Sequence, residues 1–370
     1  MSKAAELAAL IGSGQAQGNK NLTINGGMTV SQRGDSTGIT NANSGYYGPD
    51  RYKFNEDGTM TAVVSIAQET LTSGGAFNSG HLGAYKLSVT TADTAVGADI
   101  YTRITHRFEK NNLATLSKGS SSAKRVTLSF WVKATVTGTN VVEFFDQVNS
   151  RQVGATYTIS SSNTWEYKTV TFPADTSGAL GSGTGLAAEI NFVLQAGSNY
   201  TSGTLDTSWA SETAANRAAG HNSNHFSSTS NTFHFTGVQL EIGDVATAFE
   251  HEDFGTTLAK CQRYYQRIES NGTYDALLDG MHYATTQFYA MHTFPVQMRA
   301  EPTMAGSGTF AVFSNGADRT PDSLILNRAT KEVIQTYSAL SGGNVGTAGH
   351  GGHLRNNNDA DTFLEFISEL

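Results

Sequence analysis

In RVTLSFWVKA, residues 125–134, Val126, Leu128, Phe130 and Val132 take every second position, with Thr127, Ser129, Trp131 and Lys133 between them. Successive side chains of an extended chain point to opposite faces, so this spacing predicts a strand with one buried face. GADIYTRITHRFE repeats it, with Ile100, Ile104 and Phe108 on one parity and Arg103 and Arg107 on the other. YKLSVTT, TWEYKTVTF and EINFVLQAG follow the same rule between clusters of Gly, Ser and Asn that predict turns. Strands so spaced, with no helical period between them, predict an all-β antiparallel sandwich. In NTFHFTGVQLEIG the parity changes: Phe233 and Phe235 are odd, Val238, Leu240 and Ile242 even. A one-residue slip would turn the strand inside out, so a bulge or break is expected at Gly237.

Two stretches depart from alternation. MSKAAELAALIGSG predicts a two-turn helix with Ser2 as N-cap and Gly12 as stop. Its apolar run, interrupted by Glu6, does not form a signal-peptide core. Two turns do not hold alone, so Leu7, Leu10 and Ile11 dock on something or the segment frays. A loose GSGQAQGNKN linker follows. Further on, the charged turn EHEDFG leads into TTLAKCQRYYQRI, where Leu258, Cys261, Tyr265 and Ile268 lie at helical offsets. This predicts a short amphipathic helix opening a second domain. Strand signals resume in TTQFYAMHTFPV, SLILNR and TFLEFISEL, around the glycine-rich loops of SALSGGNVGTAGHGGHLRNNND. The expected organisation is an N-terminal segment 1–20, a sandwich 21–252 and a smaller β-rich domain 253–370. No exact repeat links the halves.

A chain of 370 residues exceeds one ordinary core, which agrees with two domains. Charged residues make up 15%, against about 25% in an ordinary soluble domain. Hydroxyls and amides cover the surface instead, which suits an extracellular or virion particle. A net charge of −8 disfavours binding to duplex nucleic acid, which needs a basic face. The single cysteine, Cys261, excludes an internal disulfide and any multi-cysteine metal site. No run approaches the roughly 20 apolar residues of a membrane-spanning helix, so no membrane insertion is expected.

GVQLEIGDVATAFEHEDFGTTLAKCQRYYQ resembles the junction of bacteriophage tail-fibre and related virion proteins. There a GVQLEVG-type strand leads through A-T-x-F-E into L-x-x-C-Q-R-Y-Y. NLTINGGMTVSQRG, RVTLSFWVKA and FPVQMRAEPTM (294–304) are similar to further motifs of that family, which together span about residue 21 to 304. YGPDRYKF departs from the pattern, with Tyr52 where the family has Trp. The resemblance implies a jelly-roll sandwich similar to carbohydrate-binding modules, then a smaller β-rich receptor-binding domain. It also implies a homotrimer anchored by its N-terminus to a tail or capsid protein on the phage particle surface. The expected role is attachment to host cell-surface polysaccharide with no cofactor, and without enzymatic activity because the sequence has no β-helix coil repeat and no nucleotide loop. A head fibre or capsid decoration protein, and a polysaccharide hydrolase, are the alternatives.

Sugar rings present apolar C–H faces ringed by hydroxyls, so candidate ligand residues are aromatic platforms beside polar groups. Trp131 lies opposite the apolar face of its strand, and Trp165 and Tyr167 flank Glu166. Packing between sheets or under a covering loop is the other reading for both tryptophans. Trp209 lies in SGTLDTSWASETAANRAAGHNSNHF, which has no strand period. Among ten histidines, His221 and His225 give H-x-x-x-H, and His350 and His353 give H-G-G-H. His350 and His353 join the candidate ligand-binding set because loops on a rigid sandwich carry recognition, and residues 341–358 are the expected distal tip. Neither pair has a third ligand at metal-site spacing, and NEDGT (55–59) reads as an Asp-Gly turn before a calcium loop.

Overall fold

The computed structural model describes residues 20–40 and 43–370. The helix expected over the first dozen residues lies outside the described residues. The chain forms two compact units, one running to Thr257 and including Leu370, the other Leu258–Glu369.

The first unit is a jelly-roll sandwich of thirteen strands: β1 (Ser36–Ile39), β2 (Gly45–Tyr46), β3 (Tyr52–Asp57), β4 (Val63–Thr70), β5 (Gly83–Thr91), β6 (Tyr101–Glu109), β7 (Val126–Ala134), β8 (Gly138–Asp146), β9 (Arg151–Ile159), β10 (Glu166–Phe172), β11 (Leu186–Ala196), β12 (Ala210–Ser211) and β13 (Thr232–Ile242). One sheet has the order β1-β4-β5-β13-β7-β10 and the other β12-β9-β8-β11-β6-β3-β2, and every pairing is antiparallel. The alternation read from sequence sets the core. Val126, Leu128, Phe130 and Val132 of β7 and Ile104 and Phe108 of β6 are buried together. Aromatic rings knit the two layers: Phe130 meets Phe192 at 5.1 Å and Phe235 meets Tyr52 at 5.4 Å between centroids.

The expected irregularity is present at Gly237. Along β13, Thr236 pairs with Trp131 and Gln239 with Ser129, so Gly237 and Val238 together oppose one residue of β7. Gly237 has φ +62°, where a side chain is disfavoured. The bulge lets Phe235 and Val238 both face the core, and both are fully buried.

The second unit is a smaller two-layer β structure. Its strands are β14 (Tyr265–Glu269), β15 (Ala276–Ala284), β16 (Gln287–Thr293), β17 (Thr303–Ser307), β18 (Phe310–Ser314), β19 (Ala317–Arg319), β20 (Ser323–Ala329), β21 (Val333–Ala339), β22 (Gly351–Asn356) and β23 (Phe363–Ile367). A three-stranded sheet, β14-β23-β17, shares a core with a seven-stranded sheet, β19-β18-β22-β15-β16-β21-β20. Leu278, Phe288, Ile334 and Leu354 meet Leu364 and Phe366 in that core.

Two local expectations are corrected here. The helix covers Phe254–Gln262 only, and Tyr265 and Ile268 lie on β14, paired with Ile367 and Leu364. Asp253 caps the helix, accepting the Thr256 N–H at 2.9 Å. Beyond Gln262 the aromatic and β-branched residues gain more from a sheet partner than from another helical turn. Within the glycine-rich stretch 341–358, GGHLRN forms β22 between β18 and β15. It buries Leu354 and closes two edges that would otherwise be unpaired. Among the described residues no helix is long and apolar enough to cross a membrane.

Candidate ligand-binding groove

Gln239 and Glu241 point away from the core on β13, yet both are buried. They hold the segment that follows. Glu241 accepts hydrogen bonds from the Thr247 N–H at 2.8 Å, the Thr247 hydroxyl at 2.7 Å and the Gln239 amide at 2.8 Å. Gln239 accepts the Glu250 N–H at 2.8 Å, and the Glu250 carboxylate accepts the Asn21 N–H at 2.7 Å. Asn21 in turn donates to the Val238 carbonyl at 3.0 Å and accepts the Leu240 N–H at 3.1 Å. NLTING and GVQLEIGDVATAFE, over two hundred residues apart, are thus two halves of one clamp around the Gly237 bulge.

The clamped segment forms the wall of a groove on the outer face of the six-stranded sheet, about 340 Å³ in volume. Trp131 and Tyr167 stand side by side on its floor, paired in register across β7 and β10, with ring centroids 5.4 Å apart. Phe249 and His251 rise opposite, and His81 lies between, 4.7 Å from Phe249 and 5.3 Å from His251. Ser79, Ser129 and Thr247 supply hydroxyls along the lining, which contains no carboxylate. Tyr167 is 45% exposed and His251 is exposed, so both present their rings to solvent. Burial, and then the charge of His251, push the His81 pKa down to about 4, so the ring is neutral at pH 7. On the far side of His81, NLTINGG lines a smaller cavity of about 150 Å³.

Of the candidates read from sequence, the groove gathers Trp131 alone, with its neighbour Tyr167. Trp165 is half-buried, with Lys133 Nζ 5.1 Å above its ring and His234 at 6.2 Å. The short helix Gly74–Asn78 lies on both indoles: a Cβ at Gly75 would stand 2.7 Å from Trp131, and one at Gly74 2.8 Å from Trp165. Trp209 packs instead of forming a platform. Its indole N–H donates to the Pro173 carbonyl at 2.9 Å, and its ring meets Phe144 at 5.2 Å. Lys118 Nζ lies 4.7 Å over that ring, within a buried cluster in which Asp175 pairs with Lys118 at 2.9 Å and with Arg151 at 2.8 Å. A buried ion cluster fixes its neighbours in one geometry, which accounts for an ordered tryptophan in an aperiodic loop.

His350 and His353 belong to the second unit. His350 is exposed, whereas His353 is half-buried on β22 and stacks on Phe313 at 5.2 Å. His221 and His225 are buried, donating to the Ser223 carbonyl at 2.6 Å and to Asn140 Oδ1 at 2.8 Å. Among the described residues no group of three or more His, Cys, Asp or Glu is placed to hold a metal ion. The outer face of the seven-stranded sheet in the first unit is polar but closed on itself. Thr105 bridges Asn55 and Asn191 at 3.0 and 2.7 Å, Asn191 reaches Glu143 at 2.9 Å, and Arg217 grips Glu143 through two bonds of 2.8 and 2.9 Å.

Sequence reading missed His81, Phe249 and His251, which come from loops and acquire their place only through the clamp. The A-T-x-F-E motif was the available signal for Phe249.

No protein-family model matches this chain, and no curated protein does. Among solved structures it is similar to a CBM4 carbohydrate-binding module, at 14% identity and TM-score 0.30, over 59% of this chain and 98% of that one. It is similar to the family 11 carbohydrate-binding module of the Clostridium thermocellum cellulase Lic26A-Cel5E, at 13% identity and TM-score 0.28, over 60% and 98%. It is also similar to the enzymatically active domain of bacteriophage CBA120 tailspike protein 4, at 13% identity and TM-score 0.29, over 56% of this chain and 21% of that one. Likenesses at these scores assign neither ligand nor activity.

Proposed function

We propose that this chain is a non-enzymatic attachment protein of a bacteriophage virion, most simply a tail fibre, that binds host surface glycans through the groove over β7, β10 and β13. The observation that carries the glycan reading is the groove's chemistry. An aromatic floor, Trp131–Tyr167, meets an aromatic wall, Phe249–His251, beside serine and threonine hydroxyls. Aromatic faces stack on the apolar C–H surface of a sugar, and hydroxyls exchange hydrogen bonds with its rim. The volume falls at the lower end of ligand sites, roughly 300–1,000 Å³, which suits a short oligosaccharide segment.

Binding is favoured over hydrolysis because glycosidic cleavage takes two carboxylates about 5–10 Å apart, and none lines this groove. The virion assignment rests on the four motifs that resemble tail-fibre and related virion proteins. Three copies on one particle would raise weak single-site affinity by roughly 10²–10⁴ through avidity.

The experiment is titration of the full chain with host surface polysaccharide and its oligosaccharides, followed by tryptophan fluorescence and calorimetry. Tyr167→Ala and Phe249→Ala each weaken binding by about tenfold or more, as a lost stacking contact does. Wild-type affinity in both variants overturns the groove assignment. Sustained release of new reducing ends overturns the non-enzymatic reading.

A further inference from the structure

Two of the hydroxyls along the glycan groove are already engaged within the chain. Ser79 donates to the Gly75 carbonyl at 3.0 Å, and Thr247 donates to Glu241 at 2.7 Å. Three polar groups on the floor are not. Among the described residues, Ser129 Oγ, Trp131 Nε1 and both nitrogens of His81 have no hydrogen-bond partner. His81 Nδ1 is sealed inside, whereas the other three atoms remain accessible. His81 is only 3% exposed, so its open edge is an unsatisfied polar group in a buried position. That arrangement is costly unless a ligand or water completes it.

The two rings converge where the chain has no side chain. A Cβ built on Gly237 would lie 2.7 Å from His81 Nε2 and Cε1, and 3.2 Å from Trp131 Cδ1, the carbon bonded to Nε1. The opposite edge of the same indole lies under Gly75, which keeps its N–H edge toward the bulge. An indole N–H can only donate, and a neutral imidazole carries one N–H. His81 is neutral at pH 7, and a proton on Nε2 avoids burying an unpaired N–H at the sealed Nδ1. Both edges therefore donate, toward one small space above Gly237. Ser129 stands on the same face of β7 two residues before Trp131, about 6.6 Å along the strand. Phe249, with its ring centre 4.7 Å from that of His81, and Ala248 add apolar surface. No Lys, Arg, Asp or Glu lines the groove.

We propose that the groove selects glycans carrying an N-acetylated amino sugar, whose acetamido carbonyl accepts from His81 Nε2 and Trp131 Nε1. The acetamido N–H donates to Ser129, and the methyl group packs against Phe249 and Ala248. A carbonyl has two lone pairs and takes both donors, an amide N–H supplies what a hydroxyl oxygen accepts, and the methyl uses the apolar wall. A plain sugar hydroxyl at the same place leaves the Phe249–Ala248 surface uncovered and Ser129 without its donor. A carboxylate, phosphate or ammonium substituent would leave water and meet no counter-charge. This inference rests on the glycan reading of the groove and narrows it to a class of sugar. Which member of the class is held is left to the exposed Tyr167 and His251.

The test is calorimetric titration of the full chain with three β-1,4-linked tetrasaccharides that differ only at C2: chitotetraose with acetamido groups, its fully deacetylated form with ammonium groups, and cellotetraose with hydroxyls. Chitotetraose binds about tenfold or more tighter than either of the others, because a site built around hydrogen bonds rejects a ligand that cannot make them. His81→Phe keeps a ring and removes the donor, and lowers the preference for the acetylated sugar by about three- to tenfold. Trp131→Phe does the same. Circular dichroism and melting of each variant establish that a lost preference is not lost fold. Chitotetraose that binds no better than cellotetraose overturns the proposal, and so does a preference that both variants retain in full. Host polysaccharide separates this failure from failure of the groove. Binding that is lost in Tyr167→Ala yet survives complete de-N-acetylation of the polysaccharide overturns the acetamido assignment and keeps the groove. Binding lost on de-N-acetylation and recovered on re-acetylation with acetic anhydride supports both.

Discussion

Replacing Gly237 by alanine tests how the bulge supports the groove. The residue sits at φ +62°, and an added Cβ would stand 2.7 Å from two atoms of the His81 ring and 3.2 Å from Trp131. A left-handed backbone costs a non-glycine residue about 1–2 kcal/mol. Pushing a packed ring aside costs about 1–3 kcal/mol more. The sum is a loss of about 2–5 kcal/mol. All three tryptophans lie in the first unit, so urea unfolding followed by their fluorescence reports that unit separately from the second. Asparagine at the same position separates the two effects, because it tolerates the left-handed region and still carries the Cβ. Gly237→Asn therefore keeps the packing cost and loses much of the backbone cost. An alanine variant within about 0.5 kcal/mol of wild type, smaller than ordinary packing effects, refutes the account of the bulge as a close-packed support for His81 and Trp131.

Three further outcomes follow from the geometry. Glu241→Ala removes the acceptor of three hydrogen bonds; it should cost about 2–4 kcal/mol and speed amide exchange over residues 247–251, and unchanged exchange there would dissolve the clamp. Trp209→Ala should destabilise the first unit by about 3 kcal/mol with little change in glycan affinity, whereas weakened binding at full stability would return Trp209 to the ligand site. Burial holds the His225 pKa down to about 3, so between pH 6.5 and 3 the unfolded chain binds the extra proton and stability falls as the solution is acidified. From pH 7 to 4.5 that residue removes roughly 2–3 kcal/mol; urea midpoints at the two pH values should draw closer in His225→Gln, and an unaltered difference would assign the acid sensitivity elsewhere.

The period-two signal made the strands legible because each inward position, such as Leu128 or Phe130, ends in a buried cluster. The parity change at Gly237 was legible for the same reason, since no regular strand could bury both Phe235 and Val238. What alternation cannot tell is what covers an outward side chain. Trp131 and Trp165 both carry the helix Gly74–Asn78, yet Trp131 also borders an open groove. Trp209 gave no period at all, because its position is set by long-range partners: Pro173, Phe144 and a buried cluster of opposite charges. Helical spacing misled at Tyr265 and Ile268, where five consecutive pairings with β23 outweigh the local pattern.

The motifs that make this chain recognisable are spent on architecture. Asn21, Gln239, Glu241, Thr247 and Glu250 direct their polar atoms at one another and at the backbone of β13. A related chain that keeps them keeps the Gly237 bulge and the wall carrying Phe249, whatever it binds. Ligand choice must then reside in groove side chains that the fold does not require, and Tyr167 and His251 meet that condition because both line the groove and are exposed. Changing them should alter which sugar is held while leaving the unfolding transition in place, whereas changing the clamp should abolish binding and stability together. That separation explains why motifs that predict the sandwich say nothing about the ligand.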